Sequence, residues 1–281
     1  MRVQKSSFYL LVESLLQEGA YDPSIFKAVF MGGGPGSGKG FSSVAVGMAA
    51  SGGMGSGPAY LTYDDIIGRE IRQAINTTSS YGLKVVNIDD VSNYVNLKAG
   101  LGTLDPKSNQ ISMDYEYLKQ YDKPAYDQSQ DLRTNRAKPM HAQRLELYKE
   151  LGLGLLIDQT SSDYGKVWQM KADLEDIGYD CAMLFVKMPR DLAWELNIAR
   201  KANGQQSVAE ADFHRIWDEI DENAGAFESL FSPFYWEVTN YGPGHALEGK
   251  SEAEKAIRSF LSQPPTNPDV RDWIEWMTSN G

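Results

Sequence analysis

Five short apolar runs punctuate the chain: Lys27–Met31 (KAVFM), Leu83–Ile88 (LKVVNI), Leu153–Ile157 (LGLLI), Cys181–Lys187 (CAMLFVK) and Phe234–Thr239 (FYWEVT). Each is too short for a helix and is apolar almost throughout, the pattern of a strand covered on both faces. Between them the apolar positions recur at helical spacing. Val167, Met170, Leu174 and Ile177 form one stripe that stops at Gly178. Phe213, Ile216, Trp217 and Ile220 form another, with Ser207 and Glu210 spaced as a capping box ahead of it. Phe8, Leu11, Val12 and Leu15, between a Ser6 or Ser7 cap and Gly19, predict an amphipathic helix over residues 6–18. Strands alternating with helices predict an α/β fold with a five-stranded parallel sheet and crossover helices.

Other stretches lack such a rhythm. Ser51–Pro58 (SGGMGSGP) reads as a flexible loop, and so does much of Asp105–Gln130. Residues 263–268 (QPPTNP) read as a stiff linker. Beyond them Val270, Trp273, Ile274 and Met277 predict a short helix that docks on this chain or on a partner protein. The expected organisation is an N-terminal helix within 1–21, a main domain over 22–262 with insertions near 50–80 and 100–130, and a linker with a docking tail over 263–281.

Composition narrows the partners. With 38 acidic and 27 basic residues the net charge is −11, which disfavours wrapping nucleic acid. A local nest of backbone amides can still hold a small anion. The single cysteine, Cys181, permits neither an intramolecular disulfide nor a cysteine metal cluster, and fits a reducing, cytoplasmic setting. No apolar stretch reaches the ~18 residues of a membrane span. Glu13 interrupts the apolar N-terminal run, so that run does not read as a signal peptide.

The densest chemical signal is FMGGGPGSGKGFSS, Phe30–Ser43. Gly33–Lys39 fits G-x-x-x-x-G-K directly after a predicted buried strand and before a predicted helix. Glycines let successive N–H groups converge on one anion, and Lys39 adds a point charge for the terminal phosphates. The expected ligand is ATP with Mg2+, held by Gly33, Gly34, Pro35, Gly36, Ser37, Gly38, Lys39, Gly40 and Phe41. A hydroxyl usually comes directly after the lysine, but Gly40 stands there. Either Ser42 reaches the metal, or carboxylates and phosphates hold it alone. GGPGSGKG resembles the loop of adenylate kinases, which also carry glycine at that place and then a threonine where this chain has Phe41.

Carboxylates come after two of the predicted strands. Asp89 and Asp90 close NIDD after the second strand, where ligands of open parallel sheets bind. Asp89 suits a general base toward an attacking hydroxyl. Asp90, beside Val91 at the expected helix start, reads as a cap or as an acceptor contact. Asp158 ends the third strand and suits a metal-associated carboxylate or a loop brace, with Thr160 lining the same cleft. Cations that could meet a migrating phosphoryl group or its acceptor are Arg133, Arg136, Lys138, His141 and Arg144, where Pro139 suits a first helical turn, then Arg190, and Arg200 with Lys201. Arg200 is the candidate for stabilising the transferring group, and Arg133, Arg136 and Arg144 for binding the acceptor. His214 reads as structural, and His245 has no partner at catalytic spacing.

The order of these motifs (glycine loop, NIDDV, GLLIDQT, LEDIGYDCAMLFVKMPRDLA, ARKANGQQSV) resembles the zeta-toxin and polynucleotide-kinase group of P-loop kinases, especially kinase-like proteins of tailed phages. The resemblance spans roughly residues 22–240. It implies a P-loop, three-layer α/β/α fold and ATP-dependent phosphorylation of a hydroxyl. The acceptor is a nucleotide sugar in zeta toxins and a nucleic-acid end in polynucleotide kinases. The family's catalytic aspartate falls on Asp89. A basic residue usually stands three positions later, where this chain has Ser92. Of two lid arginines the second falls on Arg200 and the first on Leu196. The resemblance implies a small-molecule kinase in a cytoplasm, that of the host for a phage-encoded chain. Phe41, Ser92, Leu196 and the tryptophan-bearing tail keep open an ATP-binding structural or regulatory protein, including one associated with a virion. A polynucleotide end-kinase is the third reading.

Overall fold

The computed structural model describes residues 22–46, 79–101, 103–104, 111–112, 115–158, 161–202 and 207–280. The helix expected over 6–18 and the loop at 51–58 lie outside the described residues, as does Thr160.

All five apolar runs are strands of one sheet: β1 Lys27–Gly32, β2 Lys84–Val86, β3 Leu155–Asp158, β4 Asp180–Lys187 and β5 Tyr235–Thr239. Their order is β2-β3-β1-β4-β5, and every neighbouring pair is parallel. β1 is central, hydrogen-bonded to β3 and β4. Its six residues are all buried, so the segment that feeds the glycine loop cannot shift without disturbing both neighbours.

Alternate strand residues face two apolar layers. Ala28, Phe30, Leu155, Ile157, Met183 and Phe185 pack with Val167, Leu174, Ile220, Phe227 and Phe231 on one side. Val29, Met31, Leu156, Leu184 and Val238 pack with Ala45, Ala253, Ile257 and Phe260 on the other. This is a three-layer α/β/α arrangement. Phe30, Phe227, Phe231 and Phe260 are essentially inaccessible, and each such side chain contributes about 2 kcal/mol by leaving water.

The helices are α1 Lys39–Ser42, α2 Ile88–Lys98, α3 Tyr115–Tyr121, α4 Lys123–Leu132, α5 Lys138–Glu150, α6 Tyr164–Asp176, α7 Arg190–Ala202, α8 Glu210–Phe231, α9 Lys250–Ser262 and α10 Pro268–Asn280. A 3₁₀ turn, Ser43–Val46, continues α1, and Thr103–Leu104 pairs antiparallel with Ile111–Ser112.

Several expectations are corrected. The stretch expected as loop up to Gln130 is helical over 115–121 and 123–130. Tyr121, Asp122 and Lys123 are exposed, and a solvated helix needs no apolar stripe. Ile177 is not part of the buried stripe of α6 but its 41 % exposed C-cap. The Ser207–Glu210 capping box does not form: the N-cap of α8 is Ala209, with no side-chain cap bond. Instead Asn197 of α7 donates to Val208 O at 2.8 Å and accepts from Val208 N at 2.9 Å. Pro139 does lie in the first turn of α5, as expected. α4 runs into α5 through a π turn, Arg133–Ala137.

The expected linker is anchored. Thr266 donates its amide, at 3.1 Å to Oδ2, and its hydroxyl to Asp180. The apolar face of α10 docks on this chain, with Trp273 edge-on to Phe26 at 5.8 Å and Val270 against Gly178.

Candidate active site at the carboxyl edge of the sheet

The glycine loop leaves the central strand with three left-handed residues, Gly33 (φ 136°), Gly36 (φ 79°) and Gly38 (φ 80°). Only glycine holds such angles without strain. Space excludes larger residues as well. A Cβ on Gly34 would strike the Trp217 ring, one on Gly36 the Ala193 carbonyl oxygen, and one on Gly38 the Asn240 amide. The same neighbours hold the loop from outside. Trp217 Nε1 donates to Pro35 O at 3.1 Å, and Asn240 Nδ2 donates to Ser37 O at 3.1 Å. Asn240 is itself fixed, its Oδ1 accepting from Gly242 N at 2.9 Å.

Sequence reasoning misses both clamps. Along the chain Trp217 reads only as part of an apolar stripe, which it also is, and Asn240 carries no motif beyond its place after β5.

Lys39 opens α1 and donates to the Gly33 and Gly34 carbonyls at 2.7 and 3.2 Å. Burial pulls its pKa below the usual lysine value. Asp158 and then Asp89 oppose that shift, while Arg200 adds to it. The ionisation of Lys39 is thus coupled to Asp158, Arg200 and Asp89. Arg200 sits in the last turn of α7.

Ser37 and Ser42 are buried, and neither hydroxyl has a hydrogen-bond partner among the described residues. A buried orphan hydroxyl is costly, so these two are groups that a phosphate oxygen or a hard cation would satisfy. Ser161 is a third, against Gly32. It lies one residue past Thr160, the last position that sequence reasoning singled out there. α1 is a single α turn before the 3₁₀ turn, and the side chain of Phe41 lies outside the described atoms.

The start of α2 differs from expectation. β2 ends at Val86, and α2 begins at Ile88, three residues before Val91. The cap is Asn87, whose side chain accepts from Asp89 N at 2.7 Å. Asp89 and Asp90 therefore lie past the strand end, in the first turn of α2, and Asp90 does not cap; its side chain lies outside the described atoms. Asn87 also donates to Asp158 Oδ2 at 3.0 Å, joining the two strand ends. Burial raises the Asp158 pKa above the ordinary carboxylate value; Lys39 opposes the shift, Asp89 adds to it, and the Asn87 hydrogen bond opposes it.

The basic run divides. Arg133 donates to Asp89 Oδ1 at 2.8 Å and to Ser92 Oγ at 3.0 Å. Arg136 is exposed. Arg144 lies close enough to His141 to help burial lower the imidazole pKa. Arg190 is tied to α8 through Asp218 and the His214 carbonyl, at 2.7 and 2.6 Å, so it is structural.

No protein-family model matches the chain, and no curated protein matches it. Among solved structures, a chain from the PezAT chromosomal toxin–antitoxin system of Streptococcus pneumoniae is similar at 11 % identity with a TM-score of 0.43, over 99 % of this chain and 95 % of that one. At that score the likeness adds nothing to the site, which stands on its own geometry. Among the described residues no helix is long and apolar enough to cross a membrane.

Proposed function

We propose that the chain is an ATP-dependent phosphotransferase acting on a hydroxyl of a small molecule, in the manner of the zeta-toxin-like kinases its motifs resemble. The observation that carries this reading is the glycine loop itself, three positive-φ glycines clamped by Trp217 and Asn240 with Lys39 folded back on its carbonyls. The loop amides and Lys39 would hold the triphosphate. Asp89 would accept the proton of the acceptor hydroxyl as its oxygen bonds the γ-phosphorus and the bond to the β–γ bridging oxygen breaks, releasing ADP. Arg200 would meet the charge on the migrating group.

Among the described residues there is no cluster of three or more His, Cys, Asp or Glu fit to hold a metal alone. Ser42 and Asp158, with oxygen donors suited to a hard cation, would share Mg2+ with the phosphates, and the ion would neutralise phosphate charge. Arg136 and Arg144 suit an acceptor that is itself anionic, a nucleotide or nucleotide sugar. The net charge of −11 argues against a nucleic-acid end.

The test is Asp89→Asn with γ-labelled ATP and a metabolite extract. Label transfer falls by about 10²–10⁴-fold, while calorimetric Mg·ATP affinity stays within a few-fold. Undiminished transfer removes Asp89 as base. Tight ATP binding by the wild type with no transfer to any acceptor or to water favours the regulatory reading.

A further inference from the structure

We propose that Arg133 is the positioning residue for Asp89 rather than a ligand for the acceptor. This inference rests on the phosphotransferase reading and specifies how its base is held. Asp89 and Ser92 are three residues apart on α2 and so share one face of that helix. A single nitrogen, Arg133 Nη1, bonds both, at 2.8 Å to Asp89 Oδ1 and 3.0 Å to Ser92 Oγ. No described residue bonds Asp89 Oδ2. One carboxylate oxygen is thus anchored, and the other is left to receive a proton. The pair is partly open, with the Arg133 side chain 28 % and the Asp89 side chain 44 % exposed, as a base that must meet an incoming hydroxyl requires.

The backbone explains why an arginine so far along the chain arrives there. Pro139 has no N–H, and in a regular helix its ring would strike the carbonyl of Asn135. The chain widens instead into the π turn Arg133–Ala137, where Lys138 N bonds Arg133 O. One extra residue in a turn rotates α4 by about 100° relative to α5, and π turns recur at functional sites. The turn directs Arg133 onto α2, while Arg136 remains in solvent. Ser92 supplies the second anchor at the position where the related kinases carry a cation of their own.

The test is a double-mutant cycle on acceptor-independent hydrolysis of Mg·ATP, in which water replaces the acceptor. Arg133→Ala lowers kcat by about tenfold in the wild-type background and by less than about twofold in Asp89→Asn, because a residue acting through Asp89 has nothing left to act on. KM for Mg·ATP stays within about twofold, Arg133→Lys regains part of the rate, and Ser92→Ala loses a few-fold. If the alanine variant loses its cooperative melt, Arg133→Gln takes its place in the cycle. Equal losses in both backgrounds, or a change confined to KM, overturn the role of Arg133 and leave the phosphotransferase reading standing. A wild-type chain that binds ATP but transfers its phosphoryl group neither to water nor to any acceptor overturns both; where transfer to an acceptor is seen without hydrolysis, the same cycle is read on transfer.

Discussion

Two lysines bracket the central strand, Lys27 buried and Lys39 half-buried, and their surroundings differ in kind. Lys27 opens β1 at 1 % exposure and pairs with Asp180 Oδ2 at 2.6 Å. Its ammonium also lies 4.9 Å from the centre of the Phe260 ring, and Asp180 is further bonded by Thr266. Lys39, just beyond the other end of β1, donates to carbonyls of its own loop, and burial depresses its pKa. Ser37 and Ser42, buried hydroxyls with no partner among the described residues, belong to the same loop and turn. A buried charge paired with an opposite charge that is itself hydrogen-bonded holds the fold together. A half-buried one that is under-compensated beside orphan donors is stabilised further by an anionic ligand.

That contrast can be broken from either side. The largest effect belongs to Lys27→Met. It strands the Asp180 carboxylate in the core and should cost about 3–5 kcal/mol of stability, read as a lowered denaturation midpoint. Restoring neutrality with Asp180→Leu should recover much of the loss. A midpoint unchanged by Lys27→Met would show that the clamp holds nothing.

Next comes the pH dependence of nucleotide affinity. Lys39 must be charged to hold phosphate. Its folded pKa lies below 10.5, so calorimetric Mg·ATP affinity should fall as pH rises through that lowered value. Bound phosphate raises the pKa, so binding at alkaline pH takes up a proton. In Lys39→Arg the fall should vanish, because a guanidinium stays protonated. An identical fall in both proteins would assign the titration to another group.

The smallest effect is that of Trp217→Phe, which removes the bond to Pro35 O and keeps most of the ring under Gly34. A loss of about 1 kcal/mol in Mg·ATP binding is expected, roughly five-fold in affinity. No loss would mean that the loop keeps its shape without the clamp.

Much of the fold was legible because its signals are local. Strands buried on both faces read as apolar runs, and the glycine loop reads from its residues alone because its backbone angles admit little else. Helices α3 and α4 were not legible, since a solvated helix carries no apolar stripe. The capping box did not form, and the chain ahead of α8 is held instead by Asn197, on the preceding helix α7, through the backbone groups of Val208. No local rule anticipates a partner that arrives from another element.

The sequence by itself determined the parallel sheet, the glycine loop and the charged residue types available beside it, since periodicity, glycine spacing and charge are properties of neighbours along the chain. Only the tertiary structure decided which of those residues share a site. It set Arg133 on Asp89, joined Asn87 to Asp158, and braced the loop with Trp217 and Asn240. It also closed the tail onto Asp180. Such partners are remote in sequence, and a hydrogen bond or an ion pair depends on separation in space.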